Sequence, residues 1–525
     1  MNRRQRCFQI FQALKLSSLS SIRRIADFTT LSKSSVHRHQ QAMQRRDLYP
    51  ESNLWEIPEG YQWLRLLVFA TVYIFGIQQG VGCEAISRFF HLLRLQNVIG
   101  VSPTSLRRIE AQMREQILNY SSQMQQQLKN HPVSIEIRAG ADETFFPELV
   151  LVLMDLVSGY IILEYFSSER QYLTWSEKAK KALQNLGQQV IVKSLVSDRA
   201  KALIQLAVQG MNCVSIPDLF HAMRGISKAV GSRFGSRLNH LKKELRNRHG
   251  QVLSYARENQ SIPARLQQQI AVLQEQYNFL LTGQQAYHNI LHQITCTVHP
   301  FAIDGSGFQT TVDVATVLYQ QLPQLAVLGH TYQIAKLDLA IKAFSGQIAA
   351  IAAGINLWWQ SVEESLQLED IDVAMSNWLL GYFLPHFYWR SVIERTKNPA
   401  LRKIYEQTSS SALSRLLQHP FTSELDQDEW SYWRCWAEQR SAQFQRSSSA
   451  IEGRNGYLSR LHHCGRGIST KQLQVLTVIH NFSLKRTDGT TAAQRLFGKE
   501  FPELFEWVIA RMSELPLPRK SYSFS

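Results

Sequence analysis

The sequence predicts an α/β chain: a mixed five-stranded sheet with helices, interrupted by a large all-helical insertion and preceded by a helical N-terminal region. Two observations carry this. Near residue 133 the apolar periodicity changes from helical to alternating, and five strand-like and two helix-like segments follow up to residue 216. Then, from roughly 232 to 440, the chain reads almost wholly as helix. At 525 residues it exceeds one ordinary core. With 44% hydrophobic residues it can bury several.

The N-terminal region comes first. Residues 1–50 hold ten Lys or Arg against two acids, a net of +8. Ser21 to Phe28 reads as a short helix, Thr29 to Leu31 as a turn, and Lys33 to Met43 as a second helix. Ile22, Ile25, Ala26, Leu31 and Val36 form the expected small core. Arg23 and Arg24 on the first helix, with Lys33, Ser34, Ser35, His37 and Arg38 opening the second, sit where a helix-turn-helix meets DNA. A second helical region, 51–131, offers a weaker pair of helices. Pro103 opens one of them, which carries Arg107 and Arg108 as candidate phosphate contacts. Its apolar run Leu66 to Ile77 is 12 residues, short of a bilayer span, and reads as a buried helix.

The sheet region, 132–231, begins with Val133, Ile135, Ile137 and Ala139 alternating with polar residues and delivering Asp142. Leu149 to Val157 and Tyr160 to Phe166 form a hairpin across Ser158-Gly159. Thr174-Trp-Ser-Glu177 reads as a capping box that opens a helix closing at Gly187. Val190 to Val196 is a buried strand ending in Asp198. Ala200 to Gln209 is a helix closed by Gly210, and Asn212 to Ile216 a fifth short strand. Glu143 points to the face opposite Asp142. Asp155 falls mid-strand.

The insertion, 232–440, includes a basic amphipathic helix over Gly235 to His249, a second helix from Ile262 to Leu281, and a small, apolar helix from Ala343 to Gly354. Seven of the eleven tryptophans lie here: Trp358, Trp359, Trp378, Trp389, Trp430, Trp433 and Trp436. They are expected in the core, with base stacking as the rival role. Residues 441–498 close the sheet domain. Ser447 to Ser449 supply N-cap candidates for a helix with Glu452 in its first turn. A C-terminal helix and a serine-rich tail occupy 499–525.

The formal net charge of +15 favours a polyanionic partner. Six scattered cysteines with no C-x-x-C pair fit a reducing compartment. His462-His463-Cys464 lacks a second pair at zinc spacing. With no targeting segment read at the basic N-terminus, the expected location is the cytoplasm, at the nucleoid. Asp142 and Asp198 at strand ends and Glu452 on a helix can hold a pair of divalent metals, the arrangement that activates an attacking oxygen in phosphoryl transfer.

Strand, strand, strand, helix, strand, helix, strand is the order of the ribonuclease-H-like fold, whose first and fourth strands lie side by side. In that order the chain resembles the DDE-type transposases of bacterial insertion sequences. The resemblance rests on Asp142, Asp198, Pro217 to Arg224 (with Asp218 and His221), Ile451 to Leu461, His480 to Arg486 and Gly489 to Gly498. It implies a triad of Asp142, Asp198 and Glu452 binding Mg²⁺, with Mn²⁺ as substitute. Asp218, His221, Arg454 and Arg460 would give phosphate or active-site support. It also implies double-stranded DNA partners (terminal inverted repeats and target) and a homodimer or larger assembly, with no membrane. One subgroup signature would place a tyrosine at 445, an arginine at 448 and a lysine at 459; the chain has Gln445, Ser448 and Ser459. Two rivals follow from the same residues: a ribonuclease-H-like nuclease that cuts without joining, and an inactive, transposase-derived DNA-binding protein.

Overall fold

A computed structural model of the chain describes residues 3–16, 21–47, 54–55, 57–130, 133–146, 148–464 and 467–518. The predicted tail, Arg519, Lys520 and Ser521 to Ser525, lies outside them.

Three short helices come first: α1 (Arg3–Lys15), α2 (Ile22–Thr29) and α3 (Lys33–Asp47). Ser21 caps α2, accepting from the Arg24 amide at 3.3 Å. Thr30, at φ 55°, turns the chain between α2 and α3. Ile25, Ala26 and Val36 are buried, with Ile22 and Leu31 packed beside them. The sequence reading missed α1, which adds Ile10 and Ala13 to this core.

Next come α4 (Pro58–Thr71), continued by a π-helical turn Val72–Gln78, then α5 (Cys83–Leu92) and α6 (Pro103–Asn130). The apolar run is therefore part of a 21-residue helical segment, Pro58–Gln78, long and apolar enough to cross a membrane. Half of its apolar window is buried inside the protein.

The sheet is five-stranded, in the order β3-β2-β1-β4-β5: β1 (Ser134–Phe145), β2 (Leu149–Asp155), β3 (Ile161–Ser167), β4 (Gln189–Ser197) and β5 (Val214–Pro217). β1–β2 and β2–β3 are antiparallel; β1–β4 and β4–β5 are parallel. Gly159, at φ 77°, lets the β2–β3 hairpin close. β2 is buried at all seven positions because strands flank it and both faces are covered. One face packs on α7 (Tyr172–Asn185) and α8 (Lys201–Gln205) through Trp175 and Leu203, and on the turn after α8 through Leu206. Thr174 lies inside α7, whose N-cap is Gln171, so the predicted capping box does not form. The α8 segment passes into a π-helical turn that includes Gly210.

The insertion is helical throughout its described elements: α9 (Leu219–Arg257), α10 (Ala264–Thr297), α11 (Thr311–Thr331), α12 (Leu337–Ser345), α13 (Ile348–Gln367), α14 (Val373–Trp378), α15 (Leu384–Arg395), α16 (Pro399–Gln418) and α17 (Gln427–Gln443). α9 starts directly after β5 and runs unbroken through residue 232, so the expected boundary there falls inside one helix. Trp358, Trp378, Trp389, Trp433 and Trp436 are buried in the insertion core, and Trp359 and Trp430 pack against it.

The chain returns as α18 (Ser449–Cys464), α19 (Thr470–Phe482), α20 (Ala492–Phe497) and α21 (Leu504–Ala510). Ile451 and Leu458 of α18, with Leu473 and Leu476 of α19, cover the second face of the sheet. Val475 and Ile479 of α19, Ala492 of α20 and Val508 of α21 share one core with α4, α5 and α6. Residues 58–130 therefore do not form a core apart from the C-terminal segments.

Candidate active site

Gly140 opposite Val196 is the last registered pair of the parallel β1–β4 ladder. Two residues further along each chain stand Asp142 and Asp198. Strand alternation places both on the face of Gly140 and Val196, the face that α18 covers. The approach there is close: a Cβ on Gly140 would lie 2.6 Å from Leu156 and 2.9 Å from Ile451 of α18. Asp142 is not at the strand end, as the sequence suggested, because β1 continues to Phe145 and Asp142 pairs with Val152. Asp198 immediately follows β4. Its Oδ1 accepts from the Ala200 amide at 2.9 Å, and Arg199 turns sharply at φ 62°.

Asp218 follows β5 and is 1% exposed. Its Oδ1 caps α9, accepting from the His221 amide at 3.0 Å. Its Oδ2 accepts from both the amide and the hydroxyl of Ser448, each at 2.6 Å. One carboxylate thus ties the start of α9 to the start of α18, although 230 residues separate Asp218 from Ser448. This positions His221 in the first turn of α9 and Glu452 in the first turn of α18. His221 Nε2 and Glu452 Oε1 stand 3.3 Å apart. Asn455, one turn beyond Glu452, donates from Nδ2 to Asp142 Oδ2 at 2.9 Å.

The electrostatics tie these groups together. Burial of the Asp142 carboxyl, reinforced by the charges of Asp198 and Glu452, pushes its pKa up to about 6; the Glu143 amide and His221 pull the other way. Glu143 lies on the opposite face, accepting from Trp175 Nε1 at 3.1 Å. Asp155 is at the end of β2 rather than mid-strand. It is committed to the hairpin, accepting from the amides of Arg138 and Ser158 and from the Ser158 hydroxyl.

Arg454 departs from its expected role in phosphate binding. It is buried, donating from Nε and Nη2 to the two oxygens of Glu164 on β3 at 2.8 and 2.7 Å. Thr477 on α19 adds a third bond to Glu164. Arg460 is exposed and lies over the Tyr457 ring. The residues after Glu452 that carried the resemblance are also structural. His480 Nε2 lies 2.9 Å from the Gly159 carbonyl, which requires a proton on Nε2. Burial pushes the His480 pKa down to about 4. Arg486 and Arg495 donate to the Val157 and Ser158 carbonyls, and Asn481 brackets the Ile161 backbone. Together they clamp the β2–β3 turn.

At the N-terminus, Arg23, Arg24, Lys33, Ser34, His37 and Arg38 are exposed. Ser35 is not among them. It is buried, its amide donating to the capping hydroxyl of Ser32. Arg107 and Arg108 are exposed on α6, and Arg107 forms an ion pair with Glu84.

Asn455 was missed in the sequence, although its spacing of three from Glu452 puts both on one helix face. Asp218 was singled out, but its bridging role was invisible because Ser448 lies far along the chain. Among the described residues, no three His, Cys, Asp or Glu side chains stand close enough to share one metal ion as they are placed. The donor set of Asp142, Asp198 and Glu452 is all carboxylate, which suits a hard dication such as Mg²⁺. The raised Asp142 pKa is what a nearby cation would reverse.

These features define a mixed α/β chain in which Asp142 and Asp198 lie beyond the last pair of the parallel β1–β4 ladder and α9 and α18 bring His221 beside Glu452. The sequence model of a protein family of unknown function, DUF6399, matches residues 379–524. That stretch contains Glu452, Arg454 and Asn455 but not Asp142, Asp198 or His221. No curated protein matches the chain.

Proposed function

We propose that this chain is a DNA transposase of the DDE type, with a ribonuclease-H-like catalytic core, that cuts DNA at element ends and joins the freed strand to target DNA. The observation that carries the reading is the placing of Asp142, Asp198 and Glu452 in one electrostatic neighbourhood, from three distant points in the sequence. The sheet order β3-β2-β1-β4-β5, with β1 parallel to β4, supports it, as does the net charge of +15.

Asp142, Asp198 and Glu452 would hold the metal ions. Two bound Mg²⁺ would supply an activated water or 3′-hydroxyl and neutralise charge at the leaving oxygen. Asn455 orients the Asp142 carboxylate, and Asp218 fixes the helix starts that carry Glu452 and His221. His221 stands 3.3 Å from Glu452 and, with the positive ends of α9 and α18, would attract a phosphate bound there. The N-terminal helices would read the terminal repeat. No Ser or Tyr nucleophile is assigned, because the attacking oxygens come from water and DNA.

The test is the purified chain with linear DNA carrying the element's own ends, in Mg²⁺ or Mn²⁺. Asp142→Asn, Asp198→Asn and Glu452→Gln should each lower cleavage by on the order of 10³-fold or more, as for groups that act as a unit. Strand-transfer products should accompany cleavage. Cleavage without joining would instead identify a nuclease. Binding without cleavage, unchanged by the substitutions, would leave a DNA-binding protein and end the catalytic reading.

A further inference from the structure

α9 is a single helix of 39 residues with nine Lys or Arg and one acid, Glu244. It begins at the candidate site, with His221 in its first turn. Its apolar side, through Ile226, Val230, Phe234, Leu238 and Leu241, is buried in the insertion core. A flank roughly 100° round the helix from that side follows the three-and-four spacing through Arg224, Lys228, Gly231, Gly235, Lys242, Arg246, His249 and Arg257. Its six basic residues are exposed, and Glu244 lies away from this stripe. The ion pairs among the described residues leave its lysines and arginines without a carboxylate partner.

Two spacings give the stripe a shape. Arg224 and Lys228 form one cationic cluster; Lys242, Arg246 and His249 form another, and Arg257 follows three turns beyond Arg246. Their near centres are about twenty residues apart, ~30 Å along a helix, close to the ~34 Å of one turn of duplex DNA. Between them lie Gly231 and Gly235, where an added Cβ would meet no atom within 4 Å. Glycine is the poorest helix former after proline. Gly231 is exposed and Gly235 half-buried, and among the described residues no side chain fills the space beside either.

We propose that the solvent face of α9 is a seat for double-stranded DNA leading into the candidate site. One strand's backbone is held beside the site by Arg224 and Lys228 and one turn away by Lys242 and Arg246, with Arg257 reaching it ~17 Å further along the helix. Gly231 and Gly235 let the duplex approach the helix backbone between these points. The inference rests on the proposed DNA chemistry for its ligand and deepens it, giving part of the helical insertion a role.

The experiment uses the full chain in EDTA and fluorescent duplexes of 10 and 30 base pairs. Lys242→Ala/Arg246→Ala/Arg257→Ala should weaken binding of the longer duplex at least tenfold. It should also flatten the dependence of log K on log salt by about 3, at ~0.9 per lost phosphate contact. Binding of the 10-base-pair duplex should barely change. Gly231→Ala/Gly235→Ala should raise the melting temperature while weakening the longer duplex, an opposition that a purely structural role for the glycines would not produce. An unchanged salt slope in the triple variant would overturn the proposal, and so would equal loss on both duplexes. Duplex RNA binding as tightly and with the same slope changes would overturn the assignment to DNA. Cleavage distinguishes the two readings. If the native protein never cuts but the binding results hold, the catalytic reading fails and the DNA seat stands. If it cuts, and the triple variant cuts long duplexes as well as the native protein at limiting concentration, the seat alone fails.

Discussion

Asp142 has the most perturbed carboxyl of the candidate site, and its perturbation makes a stability prediction. Its folded pKa, about 6, is above the usual aspartate value of 3.8. Between those values the folded state holds more protons than the unfolded one, so this group's contribution to stability falls as pH rises through that window. At pH 7 without metal the charged form is therefore a cost. Asp142→Asn should raise metal-free stability there by roughly 1–2 kcal/mol, less than the ~1.4 kcal/mol per pH unit would give for a fully buried group. Stabilisation of the native protein by Mg²⁺ should fade as pH drops below about 6, and the variant should lose most of it. Thermal melts from pH 5 to 8, with and without Mg²⁺, check both. A variant that melts lower than the native protein at pH 7 would contradict the burial argument.

At the scale of elements, α18 is fixed to the sheet by polar contacts as well as by packing. The Arg454–Glu164 pair is almost wholly buried, with side-chain exposures of 2% and 0%. Such a pair is costly to break from one side and cheap to replace as a unit. Arg454→Ala should destabilise the fold by about 3–5 kcal/mol, because it strands the Glu164 charge. Arg454→Met combined with Glu164→Leu should recover most of that loss. Denaturant unfolding of the single and double variants measures the difference. Recovered stability together with retained DNA cleavage would place Arg454 outside phosphate binding; recovered stability with cleavage abolished would return it to the site. The segments that follow α18 also have structural work. His480, Asn481, Arg486 and Arg495 supported a transposase resemblance, yet their visible work is to hold the turn from Val157 to Ile161.

For the whole molecule, the five strands lie in one segment, but the helices that cover the sheet's second face come from beyond the insertion. That face is apolar until Ile451, Leu458, Leu473 and Leu476 arrive. Residues 132–231 expressed alone should therefore not give a cooperatively unfolding domain. Circular dichroism and a thermal melt of that fragment check this, and a sharp transition would refute it. The helices of 58–130 depend on the C-terminus in the same way. Tyr120 donates to the Pro502 carbonyl at 2.6 Å, and Arg65 donates to the Ile509 and Met512 carbonyls at 3.0 and 2.6 Å. α4 to α6 and α19 to α21 therefore contribute to one core.

Local chemistry was legible in the sequence wherever it acts over a few residues. Alternation specified the first strand, short apolar runs the other four, Gly159 the hairpin, and Ile25, Ala26 and Val36 the N-terminal core. The parity of Asp142 and Glu143 assigned their opposite faces. The capping box at Thr174 and the exposure of Ser35 were misread, because a helix start and a helix face depend on what packs beside them. Tertiary structure alone decided the partners. It paired Asp218 with Ser448 and Arg454 with Glu164, set Asn455 beside Asp142, and ran α9 unbroken out of the sheet domain. These are contacts between residues hundreds of positions apart. Periodicity reports which face of an element is apolar, but only the packed fold determines which distant polar group that face brings within hydrogen-bond reach.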